Sequence, residues 1–277
     1  MQTKIMTLFT RTPLHVGSGS AVGAIDLPVM RERHTQFPVI PGSAIKGVLA
    51  DEFLTPERKR SEDGKIVFGE DDLDTEAKSG SVSFGEARLL AFPLRSARGS
   101  FALATCPLAL ARFARDAGLT LSIPSVGDAQ CFAGDDLLLE NKKVALEEYV
   151  FSNQGGFPEA WAEKLSSLLN DAVLKEAVKR FVLLSDGDFQ HFAVNACQVQ
   201  HHNRISDTTG VVIDGALFNI ETVPSETLFY AALMVIRESE TVDRLFEKFK
   251  AETLLQFGGK STTGLGFCTV KMNEVNK

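Results

Sequence analysis

With 277 residues, 44% of them apolar, the chain can bury a full core and is long enough for one large or two small globular domains. No apolar run approaches the roughly 20 residues that span a bilayer, the longest being residues 228–236, and no signal pattern opens the chain, so the expectation is a cytoplasmic protein without a membrane partner. The net charge of −7 argues against a phosphate-rich partner, but residues 1–60 carry eight Lys/Arg against five Asp/Glu, so the basic excess lies at the N-terminal end.

Residues 4–10 read as a short strand, and residues 11–41, dense in Gly and Pro without a sustained period, as a long ordered loop. Ile45, Val48, Leu49 and Phe53 then recur at helical spacing, with Ser43 placed to cap the helix and Pro56 to end it. Residues 57–78 are charged and read as an exposed connection, followed by a strand over residues 81–94 that enters the core. Residues 96–176 read as an insertion, with helices near 107–117 and 159–180 around a polar stretch at 127–141. Residues 181–184, 189–200 and 210–222 look strand-like, and 227–237 reads as a buried strand. A helix follows whose one face is Val242, Leu245, Phe246, Phe249, Thr253 and Leu254, and a Gly-rich turn at 258–266 leads to a last strand at 267–272. Strand, helix, strand at both ends predicts an α+β fold, a ferredoxin-like β-α-β-β-α-β core enlarged by insertions in a single domain over residues 1–277.

The motifs are best defined by what they miss. Gly258-Gly259-Lys260-Ser261-Thr262 ends like a nucleotide-binding P-loop, but the position of the first Gly is Leu254, and the loop follows a helix and precedes a strand. Its glycines and the donors of Lys260, Ser261 and Thr262 suit a phosphate backbone, or simply a tight turn. Gly17-Ser18-Gly19 fails as a dinucleotide motif because the third Gly is replaced by Val22. At Gly42, Ser43 and Lys46 a helix N-terminus and a lysine fall together, an arrangement that suits a bound phosphate or a solvated lysine. The four cysteines, Cys106, Cys131, Cys197 and Cys268, form no C-x-x-C and read as buried thiols. His201 and His202 are adjacent, so on a strand they face opposite ways and share no metal easily. Asp26 is the only acid before Met30, in a loop with His15, Arg31 and Arg33, and composition alone leaves it a turn former.

Residues 11–19 (RTPLHVGSG), 25–32 (IDLPVMRE), 37–47 (FPVIPGSAIKG), 224–230 (PSETLFY) and 258–266 (GGKSTTGLG) together resemble the RAMP superfamily, and within it the backbone subunit of the type III-B CRISPR (Cmr) effector. Both ends of the chain carry the resemblance, which leaves residues 96–176 without a counterpart. It implies an RRM-like palm, a helical insertion and a β-hairpin thumb, placed near residues 191–212, that pushes between guide and target bases. It also implies a filament of copies along the CRISPR guide RNA, with other Cmr subunits as partners, and cleavage of complementary target RNA at regular intervals. Asp26 matches the family aspartate for metal-dependent cleavage, with Mg²⁺ or Mn²⁺ as the ion, the 2′-OH as the attacking group, and His15 and Glu226 as helpers. Gly42, Ser43, Lys46, Arg31, His201, Arg204, Gly258, Gly259, Lys260, Ser261 and Thr262 are the RNA-binding candidates. A RAMP subunit that binds the guide without cutting, the equivalent type III-A subunit, and a guide-processing nuclease working through a histidine such as His15 are the alternatives.

Overall fold

Ile5 and Phe9 on one side of the first strand, and Met6 and Leu8 on the other, belong to two separate core clusters, so this strand is buried on both faces. That is the burial expected of a central strand with helices above and below. The computed structural model describes residues 2–21, 23–70, 78–213 and 216–274. In chain order its elements are β1 (Thr3–Thr10), β2 (Val39–Ile40), α1 (Gly42–Asp51), α2 (Glu62–Phe68), β3 (Gly69–Glu70), β4 (Lys78–Ser79), β5 (Val82–Arg95), β6 (Phe101–Thr105), α3 (Pro107–Ala117), β7 (Gln130–Ala133), β8 (Lys143–Leu146), β9 (Tyr149–Asn153), α4 (Glu159–Ser166), α5 (Ala172–Glu176), β10 (Phe181–Leu184), α6 (Asp186–Asn195), β11 (Gln198–His202), β12 (Phe218–Thr222), β13 (Leu228–Val235), α7 (Glu240–Lys248), β14 (Thr253–Gln256) and β15 (Phe267–Glu274).

The result is a mixed α/β protein with one large sheet. Its order is β14-β15-β1-β13-β5-β6-β10-β7-β9-β8, with β2 beside β5. The first and last strands of the chain lie side by side, Thr7 opposite Lys271, and β13 flanks β1 on its other edge, Thr7 opposite Tyr230. Apolar faces of α1 (Ile45, Leu49) and α7 (Val242, Leu245) cover one side of the sheet, and α3 (Leu110, Phe113) and α4 (Trp161, Leu165) cover the other. The long strand β5 runs from one half of the sheet into the other: its start pairs with β13 and its end, Phe92 to Arg95, with β6. Residues 96–176 thus widen the sheet through β6, β7, β8 and β9 and supply α3, α4 and α5. Among the described residues no helix is long and apolar enough to cross a membrane.

Several sequence expectations are corrected. The strand expected over 189–200 is the helix α6 as far as Asn195. Ser185 accepts the Asp188 N–H as its cap, Asp186 and Asp188 suit the positive end of its dipole, and Phe189, Phe192 and Ala193 bury one stripe. The hairpin placed at 191–212 therefore starts later. Residues 191–195 are helical, and the paired strands are β11 and β12, with His202 opposite Phe218. The strand expected over 210–222 is confined to β12, and residues 214–215 lie outside the described ones. The charged connection 57–78 holds α2, capped by Ser61 and burying Val67 and Phe68; residues 71–77 are outside the described ones. Ser43 is not a cap: α1 begins at Gly42 after Pro41, with no side-chain cap bond. The helix expected to reach Leu254 stops at Lys248, and Thr253–Gln256 pairs with β15 instead. The helix expected over 159–180 breaks after Ser166 and restarts at Ala172, where Asp171 caps α5.

Candidate nucleic-acid interface

Three residues of β12 gather several of the sequence candidates. The strand reads FNIET, and its Phe218, Asn219 and Glu221 meet Lys260, Asp26 and Arg31 in turn. Leu27 bridges Ile220 in parallel, and Leu14 bridges Val223 in antiparallel sense, so two arms of the N-terminal loop, themselves bridged at Gly17 and Val29, pair along this edge in opposite directions.

Asp26 is exposed and held at the front of this loop. Its backbone N–H donates to Asn219 Oδ1 at 2.7 Å, and its Oδ2 accepts the Asn219 backbone N–H at 2.8 Å. Asn219 Nδ2 also donates to the Ala24 carbonyl at 3.0 Å. The carboxylate is therefore presented to solvent from a loop tied to the hairpin. Among the described residues no group of three or more His, Cys, Asp and Glu side chains is placed to hold a metal. A single exposed carboxylate fits an ion such as Mg²⁺, which keeps waters and takes its remaining oxygens from phosphates.

Arg31, expected on the RNA face, turns inward. Its side chain is 14% exposed and pairs with Glu221 Oε1 at 2.5 Å, while its other donors reach the carbonyls of Gln36 and Ala193, both at 2.8 Å. Glu221 Oε2 accepts the Val29 N–H at 2.9 Å, so one buried carboxylate anchors the Asp26 loop on both sides of Met30. Removing one partner of such a pair leaves a buried charge without compensation, the costly case for an interior ion pair. Cys197 lies against the Arg31 guanidinium, yet burial pushes its thiol up to about 12. Burial likewise holds Cys131 and Cys268 at about 12 and raises Cys106, so all four are inert thiols.

His15 is also an inner residue, 7% exposed, its Nδ1 2.7 Å from the Glu221 carbonyl oxygen. That placement removes it from the position of a solvent-facing general base. Its backbone carbonyl accepts the Gly259 N–H at 3.0 Å, and a Cβ on Gly258, whose φ is +75°, would stand 2.1 Å from the same oxygen. Gly258 and Gly259 thus serve to seat the C-terminal loop on His15, and the Gly259 N–H is not directed at a phosphate. The exposed donors of the loop are Lys260, Ser261 and Thr262. Lys260 Nζ lies over the Phe218 ring, 5.3 Å from its centre, and His202 stacks against Phe218 from β11.

Gly42 meets the same steric demand, since a Cβ there would fall 2.1 Å from the Phe84 carbonyl oxygen; it lets α1 start flush against β5. Ser43 is exposed and Lys46 half-buried on the second turn, beyond a helix start that carries no acidic residue. An uncapped N-terminus of this kind offers unpaired N–H groups and a positive dipole end to an anion. His201 and Arg204 are exposed on the hairpin, His201 opposite Asn219. Glu226 stands elsewhere, in the link to β13, with its N–H on the Thr10 carbonyl and its carboxyl raised above the usual range by burial and by Asp171 against the pull of Arg11. Of those partners only Arg11 belongs to the Asp26 loop, at its far end.

Phe218, Asn219 and Glu221 were not among the sequence candidates. The available signal was an Asn and a Glu inside a run that is otherwise apolar and β-branched, since Asn is disfavoured in strands unless its side chain is used.

A family model described as the RAMP superfamily matches residues 7–269. The chain is 32% identical over 288 residues to the CRISPR system Cmr endoribonuclease Cmr4 of Pyrococcus furiosus, covering 99% of this chain and 97% of that protein. A crystal structure of oligomeric Cmr4 from the same organism superposes with a TM-score of 0.79 at 28% identity, over 100% of both chains. A chain of a type III-B Cmr-beta complex bound to cognate target RNA shares the fold with a TM-score of 0.76 at 21% identity, covering 98% of this chain and 97% of that one.

Proposed function

The chain belongs to the RAMP superfamily, and from that premise we propose that it is a backbone subunit of a type III-B CRISPR (Cmr) effector and an endoribonuclease within it. It binds the CRISPR guide RNA along a filament of its own copies, meets other Cmr subunits, and cuts complementary target RNA at regular intervals in the cytoplasm. The observation that carries the activity is the full-length match to a Cmr endoribonuclease together with an exposed Asp26 whose loop is locked onto the hairpin.

The RRM-like palm is supported by two strand-helix-strand units, β1-α1-β5 and β13-α7-β15, whose four strands are neighbours in the sheet. The thumb corresponds to β11, β12 and the tip between them, where Ile205, Val211 and Leu217 are exposed apolar groups suited to base faces. Lys46 with the start of α1, and Lys260 with Ser261 and Thr262, hold phosphates, and His201 and Arg204 add contacts on the hairpin.

In the cleavage step a target nucleotide splayed at the thumb sets its 2′-oxygen in line with its own phosphate. The 2′-O–P bond forms, the P–O5′ bond breaks, the leaving 5′-oxygen takes a proton from water, and the products end in a 2′,3′-cyclic phosphate and a 5′-hydroxyl. Alignment supplies much of the rate, and Asp26 accepts the 2′-OH proton; it is also the residue that would hold a divalent ion, Mg²⁺ or Mn²⁺. When bound, that ion supplies charge stabilisation at the phosphate. The reconstituted complex with labelled target RNA should give evenly spaced products with cyclic phosphate ends; binding without cutting would return the reading to a guide-holding subunit.

A further inference from the structure

We propose that Asn219 is the positioning residue of Asp26, an inference that rests on the cleavage reading above. Asp26 is exposed, and an exposed aspartate samples several staggered rotamers, which move its oxygens by ångströms. A displacement of about 1 Å in a reacting group is enough to cost roughly 100-fold in rate. Something must hold this carboxylate, and β12 does.

The clamp has three bonds. The Asn219 side chain accepts the Asp26 N–H at 2.7 Å and donates to the Ala24 carbonyl at 3.0 Å, closing the loop from both sides, and the Asn219 backbone N–H then meets Asp26 Oδ2 at 2.8 Å. An amide is the side chain that does this with one acceptor and one donor on the same group. Valine or isoleucine would serve the strand better, and neither carries either function. Neighbouring bonds fix the register: Leu27 N–H donates to the Asn219 carbonyl at 3.2 Å, and Glu221 N–H to the Leu27 carbonyl at 3.0 Å. Oδ2 is thus taken up by the clamp. Because Asn219 faces His201 across the hairpin, the carboxylate is oriented by the same strand pair that meets the RNA.

The test uses the reconstituted complex with Asn219→Ala, following single-turnover cleavage at saturating target, target affinity and guide content. The expected result is a rate at saturation lower by about 10- to 100-fold with affinity and guide content within about twofold of wild type. A residue that only supports the fold would lower rate and affinity together, and either that pattern or an unchanged rate overturns the proposal. Should the alanine complex fail to assemble, Asn219→Asp keeps the size while its carboxylate repels the Ala24 carbonyl and Asp26; the same rate loss is expected, and a wild-type rate overturns the proposal. Asp26→Asn run in parallel separates the two claims: if it cuts normally the cleavage reading fails, whereas a silent Asp26→Asn beside a normal Asn219→Ala removes the positioning role alone.

Discussion

Around β12 the chain is held by polar and charged side chains, whereas around Trp161 it is held by apolar burial. In the first region a loop of little regular structure is fixed by Glu221, Arg31, Asn219 and His15, each used for one or more bonds to segments far away in the chain. In the second, Trp161, Phe113, Phe157 and Phe181 fill the space between helices and sheet, and the one polar atom of the indole is satisfied by the Ser122 carbonyl at 2.9 Å. The difference matters because polar bonds specify direction and apolar contacts specify only proximity. A carboxylate that must face RNA from one side needs the former.

Trp161→Ala opens a large cavity and should cost about 3 to 5 kcal/mol in denaturant unfolding, while complex that remains folded cleaves at the normal rate. Glu221→Ala should cost a comparable few kcal/mol, about 3 to 5 by the general cost of orphaning a buried charge, and it should lower cleavage as well because the Asp26 loop loses its anchor. The double variant Arg31→Met/Glu221→Leu should recover stability without recovering cleavage, which would sharpen the contrast between the regions. Lys46→Glu should weaken guide retention and make its salt dependence shallower by about one unit of slope; retention unchanged across salt would count against a phosphate at α1.

The smallest effect concerns Glu226. Its carboxyl is raised on folding, so the folded state binds the proton more readily than the unfolded chain. The charged form therefore costs stability above the folded pKa, and that cost disappears as pH falls below the unfolded value. Glu226→Gln should melt slightly higher than wild type at pH 7 and equal to it in acid, a difference thermal unfolding at two pH values would reveal.

Strands β1, β5, β13 and β15 were legible because near-continuous apolar runs with β-branched and aromatic residues have few other solutions. Helix α6 was not, since a short apolar segment with Phe189, Phe192 and Val194 also suits a strand buried on both faces, and the cap at Ser185 decides for the helix. Asp26 could be singled out by the motif around it, but its clamp could not: Asn219 lies 193 positions away, and nothing local in β12 announces which loop it will meet. Arg31 shows the converse error, a basic residue near the motif that the fold spends on an interior carboxylate. Local pattern reports burial well and reports the destination of a polar side chain poorly.

The most direct measurement is cleavage of target RNA by the complete complex carrying Asp26→Asn. Target should be bound with wild-type affinity and remain uncut, the evenly spaced products disappearing together. Products of normal spacing and rate from that complex would show that the reaction is carried by another residue and would leave the β12 clamp without a catalytic purpose.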